Sequence, residues 1–478
     1  MDRVGAQPFQ ARSSTLVRAR EAVLLLLVLV FSATSATALL SSSVTPLAGV
    51  AVVAVLGLVV ALVIGSSFRS FILGFVLLRP VLDVFKVLGL DEQGLLPAAA
   101  AALLLASGVV WLGAQGHAGA RLRLSPLSTS FAVFTAVLVV SAVFSDDIGY
   151  SSLEVARVST AVVLLVVLEQ LLGSRTDVQR LLAVVFASAA VPLLVGAYQI
   201  ATGGYATEAD GMGRVTGTFV HPNTFGFYLV MVMLMAVATW RTASRRGRTA
   251  LALLLLVASA ELLLTYSRGS WVVLVVGLLV VGLLLERAIL VVLPVALAVV
   301  LVAVPSVVVR LRDLTQVQSA TGTPGNSLFW RFEQWSASLD LVQGRWLTGI
   351  GPGMSDVLLR LPPHNDAVRM YTEGGVLGLL AYLGLLATMV ATGIGLLRQT
   401  RAGGRARGIS VGVTAVFAAF IVDSAGANII NQIAIVSYVV VFAAIGIASA
   451  RLAREAEDEA ALAALTDPYA PVVRSWEA

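Results

Sequence analysis

Histidine is scarce in this sequence, and one of its three histidines lies in a context suited to proton transfer. His364 is in the segment LPPHNDAVRMYTEGGVLG, directly after two prolines that restrict the backbone and shortly before an apolar stretch. An imidazole with an ordinary pKa of about 6.5 exchanges protons near neutral pH. His364 is therefore a candidate for proton transfer. By contrast, His117 is predicted to be a surface residue, and His221, which precedes Pro222, is predicted to shape a helix start.

Four arginines have a context suited to binding phosphate. Arg214 lies in the Gly-rich segment GMGRVTGTFVHPN, Arg268 lies in TYSRGSW, and Arg310 and Arg312 follow an apolar run. A guanidinium group is always charged, and its fork of donors matches phosphate oxygens. For Arg214 and Arg268, which lie in Gly-rich turns, we favour a functional role. For Arg310 and Arg312, substrate binding and simple contact with lipid headgroups are equally good interpretations.

Other features limit the possible chemistry. The chain contains no cysteine, which excludes disulfides, a thiolate nucleophile and a Cys-ligated metal. The GIGPG run at 349–353 resembles a nucleotide-binding loop, but it lacks the required lysine and is predicted to be a tight turn. Glu261 lies in an apolar stretch two helical turns before Arg268, so it either pairs with that arginine or contacts another helix.

The elements that must position these residues are membrane-spanning helices. Hydrophobic residues make up 58% of the chain, charged residues only 12%, and the mean hydropathy is +0.93. Soluble globular proteins are about one quarter charged. This composition excludes a soluble protein. It also excludes a nucleic-acid-binding protein despite the net charge of +5, because a basic excess in a membrane protein usually reports its topology.

The apolar runs predict an all-α, polytopic transmembrane bundle, since about 20 apolar residues cross the hydrocarbon core. We predict about fourteen spans, with a range of twelve to fourteen. The stretch 69–89 is the weakest of them, because Arg79, Pro80, Asp83 and Lys86 are typical of a broken or re-entrant helix. The predicted spans are 22–40, 48–66, 69–89, 95–114, 126–144, 152–172, 177–200, 221–240, 249–266, 269–286, 288–309, 373–397, 408–425 and 430–450.

Most arginines fall in loops that alternate along the chain, and this places both termini in the cytoplasm. The first span is predicted to be a true helix, with a cleaved signal peptide as the alternative. A large extracytoplasmic loop contains Trp330, Trp335 and Trp346 with apolar residues at helical spacing, which predicts short amphipathic helices on the membrane surface. The predicted division is a leader at 1–21, eleven spans over 22–309, the loop at 310–372, three spans over 373–450 and a cytoplasmic tail at 451–478.

Several of these motifs together resemble the O-antigen ligase and O-antigen polymerase superfamily. In that family a His-Asn pair is followed, after nine residues, by Gly-x-x-Gly, and the same spacing separates His364-Asn365 from Gly375-Val376-Leu377-Gly378. The order of the motifs also fits over roughly residues 200–400. The other matching motifs are Gly213 to Phe219 followed by His221-Pro222-Asn223, Thr265 to Gly269, and Gly349 to Gly353.

The resemblance implies an inverting glycosyltransferase that uses neither a metal nor another cofactor. It would move a glycan from undecaprenyl diphosphate to an acceptor hydroxyl outside the cytoplasmic (inner) membrane. His364 would be the general base, and Arg214 and Arg268 would bind the diphosphate. Asn223, Asn365, Arg310 and Arg312 are the expected substrate contacts. The expected partners are the lipid-linked donor, a glycan or lipid-linked acceptor, membrane lipids and polysaccharide assembly proteins.

Two questions stay open at this point. A polymerase joins one lipid-linked glycan to the next, whereas a ligase moves the finished chain to another surface acceptor, and the motifs do not separate the two. The alternative class is a transporter or flippase of lipid-linked oligosaccharide. It is less favoured, because the sequence contains no paired halves with broken helices and its ionisable residues gather near one membrane face.

Overall fold

The computed structural model describes residues 68–87, 95–204, 206–207, 213–312, 328–359, 362–401 and 403–466. The predicted leader, the spans at 22–40 and 48–66, and part of the large loop lie outside these residues. The helices are α1 Phe68–Leu78, α2 Val84–Val87, α3 Leu95–His117, α4 Pro126–Val143, α5 Ile148–Leu171, α6 Arg175–Ser188, α7 Ala190–Thr202, α8 Pro222–Thr239, α9 Arg245–Leu264, α10 Arg268–Leu284, α11 Ala288–Ala303, α12 Pro305–Arg312, α13 Leu328–Leu341, α14 Met354–Leu358, α15 Asp366–Gln399, α16 Gly404–Ser424 and α17 Ile433–Thr466. Two-residue strands, β1 Ala206–Thr207 and β2 Gly213–Arg214, pair antiparallel.

The described part of the chain has nine helices that are long and apolar enough to cross a membrane. They correspond to nine of the predicted spans. Helix α10 is apolar but shorter, and α11 and α12 form a pair bent by 97° at Val304. The protein is therefore an all-α polytopic membrane protein, and the count of fourteen spans stays a prediction.

The predicted span at 69–89 is a broken helix. Helix α1 ends at Leu78, a 3-10 turn covers Arg79–Val81, and α2 follows after two residues. Pro80 explains the break, because proline removes a backbone donor and clashes with the preceding turn. Arg79 is buried at this point and lies 3.6 Å from Asp83.

Helices α8 and α17 form the centre of the bundle. Residues 225–236 of α8 are buried on every side, and α17 packs against α5, α16 and α15. A helix that is apolar all round lies inside a protein or in a membrane, and α8 is surrounded by other helices. Around these two helices, α4 packs against α15 and α10 packs against α16.

The loops separate into two groups at opposite ends of the helices. Among those predicted to lie inside, Arg69 pairs with Asp177, and Arg451 donates to the carbonyl of Leu172 at 2.6 Å. The loops that carry the candidate site residues contact one another at the other end, as described below. Which end faces the cytoplasm stays a prediction.

Helix α15 begins at Asp366, seven residues before the predicted span, and is broken at Gly375 (φ 62°, ψ −158°). A strap formed by residues 346–351 runs along this break. Its backbone accepts from the N–H groups of Val376 and Leu377, and Ile350 donates to Thr372. The GIGPG run at 349–353 is a turn, as predicted, and it closes the strap against α15. The GIGPG run and the Gly-x-x-Gly motif at Gly375 therefore pack against each other.

Replacing Gly375 with alanine is expected to unfold this junction. The new Cβ would lie 2.3 Å from the carbonyl carbon of Leu347, and residues other than glycine rarely adopt this φ and ψ. Strain of this type costs on the order of 1–3 kcal/mol. We expect a lower thermal unfolding midpoint for the purified protein. The matched control is Gly374→Ala, whose Cβ would meet its nearest neighbour at 3.8 Å. Equal midpoints for the two variants would contradict the explanation.

The large loop contains helical structure in each of its three described parts. Helix α13 exposes Phe332 and Leu339, whereas the indole of Trp335 donates to the Pro363 carbonyl at 2.7 Å. The helix is thus anchored next to the segment that carries His364. That its exposed face lies on a membrane surface stays a prediction.

Candidate active site

A polar cavity of about 290 Å³ lies where three helix N-termini meet the connection between α16 and α17. His221 and Asn223 reach it from α8, Ser267 and Gly269 from α10, and His364 from the start of α15. These residues come from three of the motifs that the sequence analysis singled out. The volume is near the lower end of the range for small-molecule sites.

The three helix N-termini give this end of the cavity a positive electrostatic character. His221 Nδ1 accepts from the Asn223 N–H at 3.1 Å, Ser267 caps α10, and Asn365 accepts from the Val368 N–H at 3.1 Å. Backbone N–H groups in the first turn of a helix carry partial positive charge and favour anions. The interpretation of His221 as a helix-start residue is correct, and its ring also lines the cavity.

The backbone of His364 is held in an unusual conformation. Its φ is 50°, and among the described residues other than glycine only Tyr266 shares a positive φ. The neighbouring Asn365 is fixed to the far connection, because its N–H donates to Asn428 Oδ1 at 3.2 Å and its amide donates to the Ala425 carbonyl at 3.1 Å. His364 therefore combines a strained backbone with a place in the cavity wall, where such conformations typically serve function.

The surroundings of His364 favour its neutral form. Burial lowers the pKa of His364 to about 4, with further lowering by the positive charges of Arg331, His221 and Arg369 and a smaller opposing effect of Asp356. A neutral imidazole can accept a proton, which a general base must do. His221 is less suited to this role, since its Nδ1 already accepts from the backbone.

Because a base is active when unprotonated, kcat/KM should fall only as the pH drops towards the lowered pKa of His364. Arg331→Met removes the cation with the largest effect after burial, so it should raise this pKa and move the acid limb to higher pH. The measurement is the pH profile of kcat/KM. Arg345→Met is the control, because Arg345 pairs with Asp146 and does not act on His364. An acid limb that stays in place in Arg331→Met would refute the assignment.

Arg214 is buried and joins two motifs. Its Nε donates to the Thr265 carbonyl at 2.6 Å, and its Nη2 donates to Asn223 Oδ1 at 2.7 Å. The following residue, Val215, also donates to the Leu264 carbonyl at 3.0 Å. Arg214 therefore reaches the cavity wall through Asn223 and ties it to the end of α9.

Arg268 and Arg310 belong to the adjacent turn. Arg268 lies between Ser267 and Gly269, which both line the cavity, and its Nη1 donates to the Arg310 carbonyl at 3.1 Å. Arg310 is buried and donates from Nε to the Tyr266 carbonyl at 3.4 Å. The side chain of Arg312 lies outside the described residues.

Glu261 contacts another helix. A Cβ added at Gly196 of α7 would lie 2.3 Å from Glu261 Oε2, so the carboxyl group packs directly on this glycine. Of the two alternatives left open by the sequence, the structure supports the helix contact.

The sequence analysis missed a charged network next to His364. Arg369 is almost fully buried and pairs with Asp356 at 2.6 Å and with Glu373 at 2.9 Å. Glu373 in turn accepts from the Gly353 N–H at 2.8 Å and from the Ser355 hydroxyl. The spacing of four residues between Arg369 and Glu373 was a usable signal for a helical ion pair. This network holds the GIGPG turn to α15.

Two further cavity residues, Asp423 and Asn428, were also missed. Asp423 lies at the end of an apolar span, where an ionisable residue is a functional candidate by default. As for a metal, the described residues contain no group of three or more His, Asp or Glu side chains that could hold one. Metal independence stays a prediction.

The fold and the cavity together define an integral membrane protein with a polar, positively polarised site at one end of its helices. Residues 253–383 match the family model described as O-antigen ligase. The match over this segment confirms the resemblance to the O-antigen ligase and polymerase superfamily. The matched segment includes Arg268, His364 and Gly375 but not Arg214. No curated protein sequence matches the chain.

Proposed function

We propose that this protein is an inverting, metal-independent glycosyltransferase of the cytoplasmic membrane. It takes a glycan from undecaprenyl diphosphate and moves it to an acceptor hydroxyl on the outer side, as a surface-polysaccharide polymerase or an O-antigen-ligase-like enzyme. The observation that carries the proposal is the cavity itself. The cavity is lined by His364, whose pKa is lowered, and by Asn223, which accepts a hydrogen bond from Arg214. Ser267 and Gly269, the residues on either side of Arg268, also line it.

The proposed reaction is a single displacement. The imidazole of His364 takes the proton of the acceptor hydroxyl while the acceptor oxygen forms a bond to the anomeric carbon of the donor. The bond between that carbon and the diphosphate oxygen breaks, and its electron pair stays on the diphosphate. Direct attack from the opposite face inverts the anomeric configuration.

The leaving group requires electrostatic stabilisation, which is usually the largest catalytic contribution. The N-termini of α8, α10 and α15 add partial positive charge at the cavity. Arg214 lies behind the lining residue Asn223, and Arg268 lies between the lining residues Ser267 and Gly269. A guanidinium group suits this role because it binds phosphate oxygens through several donors.

Purified full-length protein in lipid nanodiscs tests the proposal when it is incubated with a glycan linked to undecaprenyl diphosphate. We expect extended or transferred glycan and an equal amount of released undecaprenyl diphosphate, also with a chelator present. The linkage formed should have the anomeric configuration opposite to that of the donor. In sealed proteoliposomes, movement of intact lipid-linked glycan across the membrane without release of undecaprenyl diphosphate would identify a transporter and reject the enzyme.

In the same assay, Arg214→Lys is expected to be strongly impaired. A lysine ammonium cannot reproduce the planar arrangement with which Arg214 donates from Nε to Thr265 and from Nη2 to Asn223. Loss of one positioned donor costs about 10²–10³-fold in kcat. Arg246→Lys, on the exposed first turn of α9, is the matched control. Turnover of Arg214→Lys equal to that of the control would remove Arg214 from the mechanism.

A further inference from the structure

Part of the cavity wall comes from the end of α16 and the α16–α17 turn, residues 425–432, which follows the segment matched by the family model. None of the sequence motifs lies there. Asp423, at the end of α16, and Asn428, in the turn, both line the cavity and are less than one-tenth exposed. This wall therefore presents polar groups that the diphosphate-binding motifs do not account for.

The turn is firmly placed relative to His364. Asn428 Oδ1 accepts from the N–H of Asn365, the residue next to His364, at 3.2 Å. Arg331 Nη1 donates to the Gly426 carbonyl at 2.9 Å, and Thr224 contacts Gln432 at 3.4 Å from α8. Any group held by this turn thus lies beside the candidate base.

The amide group of Asn428 has one hydrogen-bonding atom available for a ligand. Asn428 Nδ2 is buried and has no hydrogen-bond partner among the described residues. Its direction is fixed, because Oδ1 of the same amide is occupied by Asn365. A buried donor without a partner is rare in folded proteins and calls for a ligand or water.

Asp423 adds an acceptor to this donor. No described residue donates a hydrogen bond to its carboxyl group, and Arg331 is the cation that interacts with it. The absence of a side chain at Gly269 leaves room for it, since a Cβ there would lie 3.0 Å from Asp423 Oδ1. Gly269 on α10 thus leaves the space that the Asp423 carboxyl group occupies in this wall.

The carboxyl group of Asp423 selects the chemistry of the ligand. Its ionised form repels a diphosphate and its neutral form offers no positive charge, so the donor's phosphates belong to the side formed by the helix N-termini and the arginines. A hydroxyl group both donates and accepts, and neighbouring hydroxyls of a sugar ring match a carboxylate next to an amide N–H. The wall therefore suits a neutral, hydroxyl-rich ligand.

We propose that Asp423 and Asn428 form a subsite for the acceptor sugar, which presents one of its hydroxyls to His364. Asp423 accepts from a hydroxyl of this sugar, and Asn428 Nδ2 donates to another. This inference rests on the proposed function and adds to it the place and recognition of the acceptor.

The test measures binding and transfer with the full-length protein in nanodiscs. The acceptor probe is the free glycan, released from the lipid-linked glycan by mild acid, and the second probe is undecaprenyl diphosphate without sugar. Asp423→Asn and Asn428→Asp keep the side-chain shapes, and Asp340→Asn on exposed α13 is the control. We expect both cavity variants to weaken free-glycan binding about 10-fold or more, to raise the acceptor KM equally, and to bind undecaprenyl diphosphate like the wild type.

The possible failures are distinguishable. If the wild type transfers glycan and the two cavity variants bind the free glycan like Asp340→Asn, the subsite is wrong and the proposed function stands. If the wild type does not bind the free glycan, the subsite is also wrong. If the wild type binds it but transfers nothing to any acceptor, the proposed function fails. Retained binding of undecaprenyl diphosphate shows that a variant is folded.

Discussion

His364→Asn is expected to reduce glycan transfer by about 10²–10⁴-fold, the usual contribution of a positioned general base. Asparagine is the suitable replacement, because it tolerates the positive φ of 50° at this position better than most residues. The amide cannot accept a proton at neutral pH. The binding of undecaprenyl diphosphate should stay unchanged, so the loss should appear in kcat and not in donor affinity. The measurement combines steady-state transfer kinetics with equilibrium binding of that lipid.

The matched control for this substitution is His117→Asn. His117 is exposed at the end of α3, and its ring contacts only the Gly113 carbonyl among the described residues. We expect normal transfer in this variant. Normal transfer in His364→Asn as well would exclude His364 as the base and direct attention to His221, the other imidazole in the cavity.

Arg369→Met is expected to produce the largest loss of stability. The side chain of Arg369 is 1% exposed and that of Glu373 is 3% exposed, so removal of the cation leaves a carboxylate buried without its partner. Breaking a buried ion pair in this way costs about 3–5 kcal/mol. The free energy of unfolding of the purified protein should fall accordingly, and the GIGPG turn should detach from α15. Thermal unfolding and limited proteolysis within residues 346–356 measure the two effects.

A second substitution shows whether Arg369→Met loses stability because a buried charge is left uncompensated or because packing is lost. In the Arg369→Met background, Glu373→Gln removes the uncompensated charge and should restore part of the lost stability. Arg345→Met, which breaks the solvent-exposed pair with Asp146, should leave the unfolding midpoint nearly unchanged. A midpoint for Arg369→Met equal to that of Arg345→Met would show that the network does not hold the turn.

His364→Asn and Arg369→Met affect the same site in different ways. In the proposed mechanism His364 is the general base, whereas Arg369 fixes the start of α15 on which His364 and Asn365 depend. Arg369 also contributes to lowering the pKa of His364. In Arg369→Met, activity is therefore expected to be lost because the structure is disturbed. In His364→Asn, activity is expected to be lost while the structure stays intact.

The sequence by itself determined the membrane-spanning helices and the residue types that could do chemistry. Long apolar runs form helices in a bilayer because each backbone polar group must find its partner within the same segment. This is a local property, so nine of the spans from residue 95 onward could be predicted, and so could the break at Pro80. The motifs around Arg214, Arg268 and His364 were also visible, because each is a short run of neighbouring residues.

Only the tertiary structure decided what surrounds these residues. The burial of Arg369, the lowered pKa of His364, and the contact between Asn365 and Asn428 all depend on how distant helices pack. The strap at Gly375 likewise needs residues 346–351 to reach a helix that follows them in the chain. Hydropathy and spacing describe neighbours along one segment. The energies of burial and of charge pairing instead depend on which segments meet, and that is fixed only when the bundle is assembled.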